Sequence, residues 1–590
     1  MITNKMTSLL QLALRYEGLL TDTLKSTFIV DPEQNLWEVI MDYVGTLDEL
    51  VSQYGLTEAY DLKGGFAKII INKDRIGDLS NASNVLRLAL PRRLAYMDIG
   101  LGAVCAANTS EESSAIRATG EGVLLAVIDS GIRYNHPDFI TDEGKSRILY
   151  LWDQTIGNGP SSVNGGGGTV YTNEQINEAL QYQTEAEQLA VVPSQDTIGH
   201  GTALAGIAAG NGRGSSNRRN KGMAPACELV IVKIGRIQPR YPRDIEIIEG
   251  INFVIEKAKE LNRPISILLG VGHNLTAHDG TEPLEIYMTR RYDNWLINFV
   301  VGTGNEGDTN LHTSGKLETG QSQTIQIDIE SSNLREYGCC IWKRFSDDIS
   351  VVIQTPMGEQ TDVLSLLTPN RAYLFDDIAV LVNYSAPIAS VNQQVIYILF
   401  QAQGDATLGR GLWTLTLQGT QIIEGGYEVW GSIVLQSEVN DVEFLNPNIE
   451  QTLTSPSTAD AITSVGAYNS SIRQVAAFSG RGFTADGRVA PDLVAPGVNI
   501  TAPSVTEQSL YGSITGTSAA AAFVAGAYVL LMEYGIYTLN NLNYYGEELR
   551  IYLLRSAQRP TSYGPYPNPS WGYGLMCVDA ALANMNKMAD

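Results

Sequence analysis

The central part of the chain alternates long apolar runs with amphipathic stretches. Four runs are continuously apolar and end in glycine-containing turns, which is typical of buried strands in a parallel sheet. Helical stretches lie between them, and the clearest, DIEIIEGINFVIEKAKEL (244–261), has an apolar stripe. This order predicts an α/β domain with a parallel sheet, whose functional residues should lie just past the carboxyl ends of the strands. The four runs are GVLLAVIDSG (122–131), CELVIVKIG (227–235), PISILLGVG (264–272) and NFVVGTGNEG (298–307).

Between residues 316 and 450 the pattern changes to closely spaced strands with turns and no long helix. Such a run predicts an inserted all-β domain, either a β-sandwich or a jelly roll. The α/β pattern resumes at DAITSVGAYN (460–469) and APDLVAPG (490–497) and continues into the alanine-rich SITGTSAAAAFVAGAYVLL (513–531). The predicted strands of the insert are TIQIDIESS (324–332), ISVVIQTP (349–356), RAYLFDDIAVLVNYS (371–385), QQVIYILFQA (393–402), GLWTLTLQGT (411–420) and YEVWGSIVLQS (427–437).

The first hundred residues predict a small α+β unit. LWEVIMDYV (36–44) and GGFAKIIINK (64–73) read as strands, and TLDELVSQYG (46–55) between them predicts a helix closed by glycine. LRLALPRRLAYMD (86–98) follows in an extended form, and a stretch of small polar residues then predicts a linker. The predicted division of the chain is 1–104 for the N-terminal unit and linker, 105–315 and 451–590 for the two parts of the α/β domain, and 316–450 for the insert.

Composition narrows the function classes. The chain has 590 residues, of which 44% are hydrophobic and 18% charged, as in a globular protein with several domains. Its formal charge of −24 argues against nucleic acid as the main partner. The five cysteines are an odd number, are scattered and include no CxxC pair, which argues against a disulfide scaffold and against a zinc site. The glycine-rich NGGGGTV (164–170) lacks the Lys-Ser/Thr of a P-loop.

The N-terminal stretch MITNKMTSLLQLALRYEGLL (1–20) does not have the form of a signal peptide, because Thr, Gln, Arg and Glu interrupt its apolar positions. No window reaches the roughly 18 consecutive apolar residues expected of a membrane span. We therefore expect a protein that stays inside the cell, or inside a structure that the cell builds.

Three polar residues stand where the pattern predicts chemistry. Asp129 ends a buried strand, and His200 and Ser518 each open a helix of small residues after a glycine. Each alone has a structural explanation, since Asp caps turns, a lone His is more often structural than catalytic, and Ser before an alanine run is usually a helix cap. The order Asp, His, Ser in three glycine-marked contexts is one of the known arrangements of a serine-protease triad.

Four motifs in this order resemble the subtilisin-like (subtilase) serine proteases, peptidase family S8. The motifs are AVIDSGIRYNHPDF around Asp129, GHGTALAGIAAG around His200, VVGTGNEG around Asn305 and GTSAAAAFVAG around Ser518. The resemblance implies a three-layer subtilisin-like fold in which Ser518 is the nucleophile, His200 the general base and Asp129 its orienting partner. It also implies that Asn305 stabilises the oxyanion. The substrate backbone would pair with the segment Leu268, Leu269 and Gly270, opposite a second wall of Gly302, Thr303 and Gly304.

The N-terminal unit, the segment between Asp129 and His200 and the β insert together are similar to the Csp germination proteases of clostridial spores. That resemblance implies a prodomain that helps the catalytic domain fold, plugs the cleft with its C-terminal strand and is cut off by the enzyme itself. We expect this cut between Tyr96 and Cys105, and the prodomain to remain bound in cis or after cleavage. No cofactor is implied, and although structural calcium is common in the family, no ligand set is readable here.

Three functions remain open on the sequence. The first is an active endopeptidase for a protein substrate, which the germination resemblance would make the zymogen of a spore cortex-lytic enzyme, acting within the spore. The second is a catalytically silent or prodomain-locked sensor or regulator. The third is a related bacterial protease unconnected with germination. We assign no catalysis to the remaining histidines, His136, His273, His278 and His312.

Overall fold

The structure is a computed structural model. It describes residues 5–54, 56, 58–97, 118–157, 167–236, 242–292, 295–386, 392–433, 442–506 and 509–589. The chain forms two compact units: residues 1–93, 273–277 and 308–452 make up the first, and residues 94–272, 278–307 and 453–590 the second. The predicted insert of 316–450 thus belongs to the same unit as the N-terminal residues.

The described α-helices are, in chain order, α1 (Ser8–Tyr16), α2 (Asp22–Lys25), α3 (Leu47–Tyr54), α4 (Ile76–Ser80), α5 (Asn173–Ala179), α6 (Glu185–Val191), α7 (His200–Ala209), α8 (Asp244–Glu260), α9 (Pro283–Arg291), α10 (Thr517–Met532), α11 (Gly546–Arg555) and α12 (Val578–Ala589). The described strands are β1 (Ile29–Asp31), β2 (Leu36–Tyr43), β3 (Glu58–Lys63), β4 (Phe66–Asn72), β5 (Val85–Ala89), β6 (Ala95–Tyr96), β7 (Leu124–Asp129), β8 (Ile148–Asp153), β9 (Thr169–Thr172), β10 (Glu228–Lys233), β11 (Ile265–Leu269), β12 (Val271–Gly272), β13 (Ile297–Gly302), β14 (His312–Lys316), β15 (Ser322–Ile329), β16 (Glu336–Arg344), β17 (Asp348–Gln354), β18 (Asn370–Phe375), β19 (Ile378–Tyr384), β20 (Gln393–Ala402), β21 (Gly411–Gln421), β22 (Gly426–Gly431), β23 (Val442–Phe444), β24 (Thr463–Asn469), β25 (Gln474–Val475), β26 (Leu493–Pro496), β27 (Ile500–Pro503) and β28 (Tyr511–Ile514).

The first unit contains three antiparallel sheets. The N-terminal sheet has the order β1-β2-β4-β3, with β5 beside β2. The insert has a six-stranded sheet, β14-β22-β16-β20-β19-β18, and a four-stranded sheet, β17-β21-β15-β23. Alternate side chains from these two sheets share one core, in which Phe400 and Trp413 contact edge to face with ring centroids 4.8 Å apart. The insert is therefore all-β, as the strand pattern predicts, and a jelly-roll connectivity stays a prediction.

Polar contacts attach the N-terminal residues to the insert within this unit. The Thr21 backbone N–H donates to Gln401 Oε1 over 2.9 Å, and the Thr21 hydroxyl donates to Glu336 Oε2 over 2.6 Å. Arg93 forms an ion pair with the same carboxylate of Glu336. Helix α1 packs against β19 and β20, so that apolar and polar contacts together fix the N-terminal residues on the insert.

The second unit is built around a nine-stranded sheet in the order β25-β24-β13-β11-β7-β10-β8-β9, with β26 beside β24. The strands from β24 to β8 pair in parallel, and β26 is parallel to β24. Only the edge strands β25 and β9 among the described strands of this sheet pair antiparallel. The continuous apolar runs are buried because helices cover both faces of such a sheet.

The alternating side chains of β7 show that each face of the sheet is covered by a different helix layer. Leu125 and Val127 belong to the core that contains α7 and α10. Ile128 points the other way, toward Gly250 of α8, where a Cβ would lie 3.1 Å from the Ile128 side chain. Successive strand residues alternate between faces, so the domain has three layers.

Helix α10 is the most apolar helix. All of its residues are buried, and it continues as a π-helix to Thr538. By length and composition alone the helix Thr517–Thr538 could cross a membrane, but 94% of its 18-residue apolar window is buried inside the fold. Its apolarity on all sides is explained by its position in the core.

Candidate active site

The three residues singled out by the sequence lie together in the second unit. Asp129 is the last residue of β7, His200 the first of α7 and Ser518 the second of α10. His200 Nδ1 lies 2.7 Å from Asp129 Oδ1, and His200 Nε2 lies 2.8 Å from Ser518 Oγ. All three side chains are buried. This chain of hydrogen bonds can move a proton from a serine hydroxyl to an imidazole that a carboxylate orients.

Asp129 and His200 can form their hydrogen bond because the backbone at the start of α7 lies very close to the turn after β7. Gly199 has a φ of +89°, the left-handed region that favours glycine, and it caps α7 directly before His200. A Cβ on Gly201 would lie 2.3 Å from the Gly131 carbonyl oxygen. The glycines on either side of His200 therefore let the start of α7 pack against the turn that follows β7.

Asp196 holds this turn and was missed by the sequence analysis. Its Oδ1 accepts hydrogen bonds from the Ser130 hydroxyl (2.9 Å) and from the backbone N–H groups of Ile198 (3.2 Å) and Gly199 (2.7 Å). Its Oδ2 accepts from the backbone N–H and the hydroxyl of Thr202. Asp196 thus ties the residue after Asp129 to the first turn of α7. An aspartate three residues before the Gly199 cap is the local signal that could have identified it.

A short strand of the chain itself occupies the groove beside the triad. β6 pairs antiparallel with β12, Tyr96 opposite Val271 and Ala95 opposite Gly272. The next residue, Met97, donates its backbone N–H to the Gly270 carbonyl oxygen over 3.0 Å. Its carbonyl oxygen accepts a hydrogen bond of 2.7 Å from the Ser518 hydroxyl. A peptide carbonyl therefore lies directly at the serine.

The side chains of this strand are also enclosed. The ring of Tyr96 lies against that of His200, with centroids 5.6 Å apart. Burial raises the pKa of the Tyr96 hydroxyl well above its ordinary value, and the charges of Asp129 and Asp196 add to the shift. The Met97 side chain is 5% exposed, and a Cβ on Gly272 would come within 2.5 Å of its Cε. The methionine fills a pocket that only a glycine at 272 leaves open.

Asn305 lies beside the same carbonyl. Its Oδ1 accepts hydrogen bonds from the Thr517 backbone N–H (3.0 Å) and the Thr517 hydroxyl (3.1 Å), which orients the side-chain amide. A Cβ placed on Gly516 would lie 2.3 Å from the Met97 carbonyl oxygen and 3.3 Å from Asn305 Nδ2. The amide nitrogen and the carbonyl oxygen thus border the same small space, where an oxyanion could be stabilised.

Of the three residues predicted for the first wall of the groove, one contacts the bound strand and two do not. Gly270 contacts the bound strand, whereas Leu268 and Leu269 are fully buried in β11 within the sheet. The strand pairing instead runs forward to Val271 and Gly272, because β11 is already paired on both sides with β7 and β13 and only the chain beyond it is open to a new strand.

The second wall is supported from behind. Thr303 donates its N–H to the Val465 carbonyl oxygen, and Gly304 donates its N–H to the Thr517 hydroxyl. A Cβ on Gly302 would lie 2.8 Å from the Thr517 backbone. These contacts connect the wall to the helix that carries Ser518.

No other titratable cluster among the described residues has the form of a metal site: none of them groups three or more His, Cys, Asp or Glu side chains suitably. The other histidines of this unit have structural partners. His136 Nε2 lies 2.7 Å from the Leu510 carbonyl oxygen, and burial lowers the pKa of its imidazole. His278 Nδ1 lies 2.5 Å from the Leu453 carbonyl oxygen.

Comparison with known proteins agrees with this geometry. The profile of the subtilase family, peptidase family S8, matches residues 120–331 and 402–574. The chain belongs to the subtilase family. Residues 4–92 of this subtilase match the profile of the Csp protease B prodomain. The structure of the CspB protease of Clostridium perfringens is 31% identical, with a TM-score of 0.72, and the match covers 80% of this chain and 94% of that one.

Two other relatives are more distant. The C5a peptidase of Streptococcus pyogenes serotype M1 is 23% identical over 439 residues, which is 70% of this subtilase but only 34% of that protein. This subtilase therefore spans about a third of the length of that curated relative. Fervidolysin of Fervidobacterium pennivorans, a keratinolytic enzyme related to subtilisin, is 14% identical with a TM-score of 0.48, covering 92% of this subtilase and 60% of that chain. The prodomain profile and the CspB structure confirm the resemblance to the Csp subtilases. They also confirm the predicted fold class, a subtilase fold with a prodomain.

Proposed function

We propose that this subtilase is a serine endopeptidase that cuts its own chain after Met97 and then cleaves a protein substrate. The observation that carries the proposal is the 2.7 Å hydrogen bond from the Ser518 hydroxyl to the Met97 carbonyl oxygen. Residues 5–97 then act as the prodomain, and the strand that ends at Met97 is its cleavable end. The cut lies within the expected interval from Tyr96 to Cys105, whose residues 98–105 lie outside the described residues.

The residues act in two steps. The Ser518 hydroxyl first turns its one hydrogen from the Met97 carbonyl oxygen to His200 Nε2. Ser518 Oγ then attacks the Met97 carbonyl carbon while His200 Nε2 takes the proton, and Asp129 stabilises the resulting imidazolium. Asn305 and the Ser518 backbone N–H donate to the oxyanion. The intermediate collapses when His200 protonates the amine of residue 98, which leaves as the new N-terminus. A water molecule, deprotonated by His200, then releases the Met97 carboxylate and regenerates Ser518.

The natural substrate that we propose is the zymogen of a spore cortex-lytic enzyme, with the protease acting within the germinating spore. This is supported by the similarity to CspB over most of both chains and by the Csp-type prodomain. A substrate would bind where residues 95–97 lie, with a small or apolar residue before the cleaved bond, because the Met97 side chain lies in an enclosed pocket in which Gly272 leaves room for it. The occupied groove also favours a prodomain-locked state, in which the cut enzyme is held inactive until the prodomain moves.

The test compares the wild type with Ser518→Ala by intact mass, with and without a fluorophosphonate probe. We expect the wild type to lose the peptide bond after Met97 and the variant to stay whole. Labelling of the cut protein would show an open groove, and cutting without labelling would show the prodomain-locked state. If neither protein is cut or labelled, the self-processing protease is refuted and a catalytically silent regulator replaces it.

A further inference from the structure

A cavity whose lining includes none of the triad residues is lined by four arginines. It has a volume of about 480 Å³ and lies in the second unit, between α11, the segment that follows it and the loop before β26. Arg488, Arg550, Arg555 and Arg559 line it together with three carboxylates, those of Asp460, Asp492 and Glu547. The lining therefore carries one net positive charge, in a chain whose net charge is −24.

Two of the arginines have structural tasks. Arg550 forms ion pairs with Asp492 (2.7 Å) and Glu547 (3.0 Å). Arg488 donates to the carbonyl oxygens of Asp279 and Thr458, and it pairs with Asp460 of the lining (3.6 Å) and with Asp486. These contacts neutralise the acids of the lining, so the remaining positive charge belongs to the other two arginines.

Arg559 donates only to carbonyl oxygens of the chain, at Leu554 and Arg555. Arg555 is exposed at the end of α11 and makes no side-chain hydrogen bond to the described residues. Neither guanidinium has a carboxylate partner among the residues that the structure describes. Arginine is the side chain best suited to bind a carboxylate through two parallel hydrogen bonds.

Two buried donors also point to a ligand. Ser464 is 2% exposed and lines the cavity, and its hydroxyl has no hydrogen-bond partner among the described residues. Arg550 Nε is also buried without a hydrogen-bond partner among the described residues, although another nitrogen of that guanidinium pairs with Asp492. A buried polar group without a partner destabilises the folded state, and a bound acceptor would remove this cost.

Apart from Ser457 and Thr484, the remaining lining is apolar or aromatic. Ile551, Leu554, Val489 and Ala490 face the cavity together with the ring of Tyr573. We propose that this cavity binds a carboxylate carried on a small apolar or aromatic body, with Arg555 and Arg559 on the carboxylate and Ser464 as an additional donor. Such a ligand is either a free organic acid or the C-terminal carboxylate of a peptide. The proposal does not depend on proteolysis.

The test measures binding by calorimetry on the full chain carrying Ser518→Ala, which avoids self-digestion. The probes are benzoate, its neutral analogue benzamide, inorganic phosphate and a short peptide ending in phenylalanine. We expect saturable binding of benzoate and none of benzamide, with phosphate weaker than benzoate. Tighter binding of the peptide than of benzoate would identify a chain terminus as the source of the carboxylate, and weaker binding a free acid.

Variants locate the site. Arg555→Gln removes no contact within the described fold and should weaken benzoate binding about tenfold or more, as expected for the loss of a charged hydrogen bond. Arg410→Gln removes an equally exposed arginine elsewhere and should have no effect. Ser464→Ala should weaken binding while leaving the midpoint of thermal unfolding unchanged or higher, because it deletes an unpaired hydroxyl. Absence of saturable binding, equal binding of benzamide, or equal binding by Arg555→Gln and Arg410→Gln would each overturn the proposal.

Discussion

The Ser518 hydroxyl donates a hydrogen bond to the Met97 carbonyl oxygen, although the two residues are 421 positions apart in the chain. The serine that opens α10 therefore meets the residue at which the N-terminal strand enters the groove. If Met97 is the residue before the cut, its side chain must suit the pocket beside Gly272. Changes at Met97 should then alter self-cleavage while leaving the triad intact.

Met97→Asp should slow self-cleavage by at least about 100-fold, because a carboxylate would be buried there without a partner. Met97→Leu, which nearly conserves volume, should cleave at close to the wild-type rate. The measurement is the time course of intact mass after refolding. Equal rates for the Asp and Leu variants would contradict cleavage at this residue.

Asn305→Ala should lower the rate of self-cleavage by about 10²–10³, the loss measured for one oxyanion donor in a subtilisin and carried over here. Asn305→Asp keeps the oxygen that accepts from Thr517 but loses the amide donor, so it should be slow as well. Rates of both variants and their urea unfolding curves would be measured. A fast Asn305→Asp variant would show that the oxygen, and not the nitrogen, is what matters.

Asp196→Ala should reduce both stability and nucleophile reactivity. The substitution leaves the Ser130 hydroxyl and several buried N–H groups without their acceptor, at a cost of at least about 2 kcal/mol. Because these groups hold the turn before His200, labelling of Ser518 by a fluorophosphonate should slow in the protein that remains folded. Asp142→Ala, an exposed acid near Arg218, is the matched control and should change neither quantity.

Glu285 should make stability fall as pH rises. Burial raises the pKa of this carboxyl to about 7, and the neighbouring Glu282 adds to the shift, against hydrogen bonds that lower it. The folded state then holds a proton that the unfolded state releases above its ordinary pKa. The contribution of Glu285 to the free energy of unfolding is fully present below that ordinary value of 4.5, and it is lost as pH rises through about 7.

Glu285→Gln cannot ionise, so its stability relative to the wild type should increase between pH 4.5 and 8, by up to about 3 kcal/mol. Chemical unfolding of both proteins in the Ser518→Ala background at a series of pH values would measure this. A difference that stays constant with pH would refute a proton held by Glu285.

Glu336 should help to retain the cut prodomain. Its carboxylate accepts from the Thr21 hydroxyl and pairs with Arg93, both on the N-terminal side of the proposed cut. Glu336→Ala should weaken the hold of the cut protein on residues 1–97 about tenfold, seen as loss of the fragment on dilution and gel filtration. Glu424→Ala removes a carboxylate of the insert whose one ion pair among the described residues is with Arg344 of the insert, and it should retain the fragment.

Local patterns were enough to predict much of the fold. The continuous apolar runs identified the parallel strands β7, β10, β11 and β13, since a strand buried on both faces has no polar alternation. Glycines beside His200 and Ser518 marked the helix starts, and the structure brings both residues to Asp129. The roles of the three in catalysis stay predictions that the variants above test.

Pairing between distant segments could not be predicted in the same way. From the sequence we expect a substrate backbone to pair with Leu268, Leu269 and Gly270, which stays a prediction. The pairing of the chain's own strand at 95–97 with Gly270, Val271 and Gly272 could not be derived from local pattern. The role of Asp196 likewise follows from its contacts with Ser130 and Thr202, which are distant pairings or depend on the turn geometry.

The sequence alone determined the α/β and all-β regions and the identity of the candidate triad, because strand and helix periodicity, turns and caps depend on neighbours within a few residues. Tertiary structure decided that Met97 stands at Ser518, that Asn305 is oriented by Thr517 and that four arginines line one cavity. These relations join residues tens to hundreds of positions apart. They depend on strand register and helix packing, which are set by the fit of the whole core and not by any local stretch.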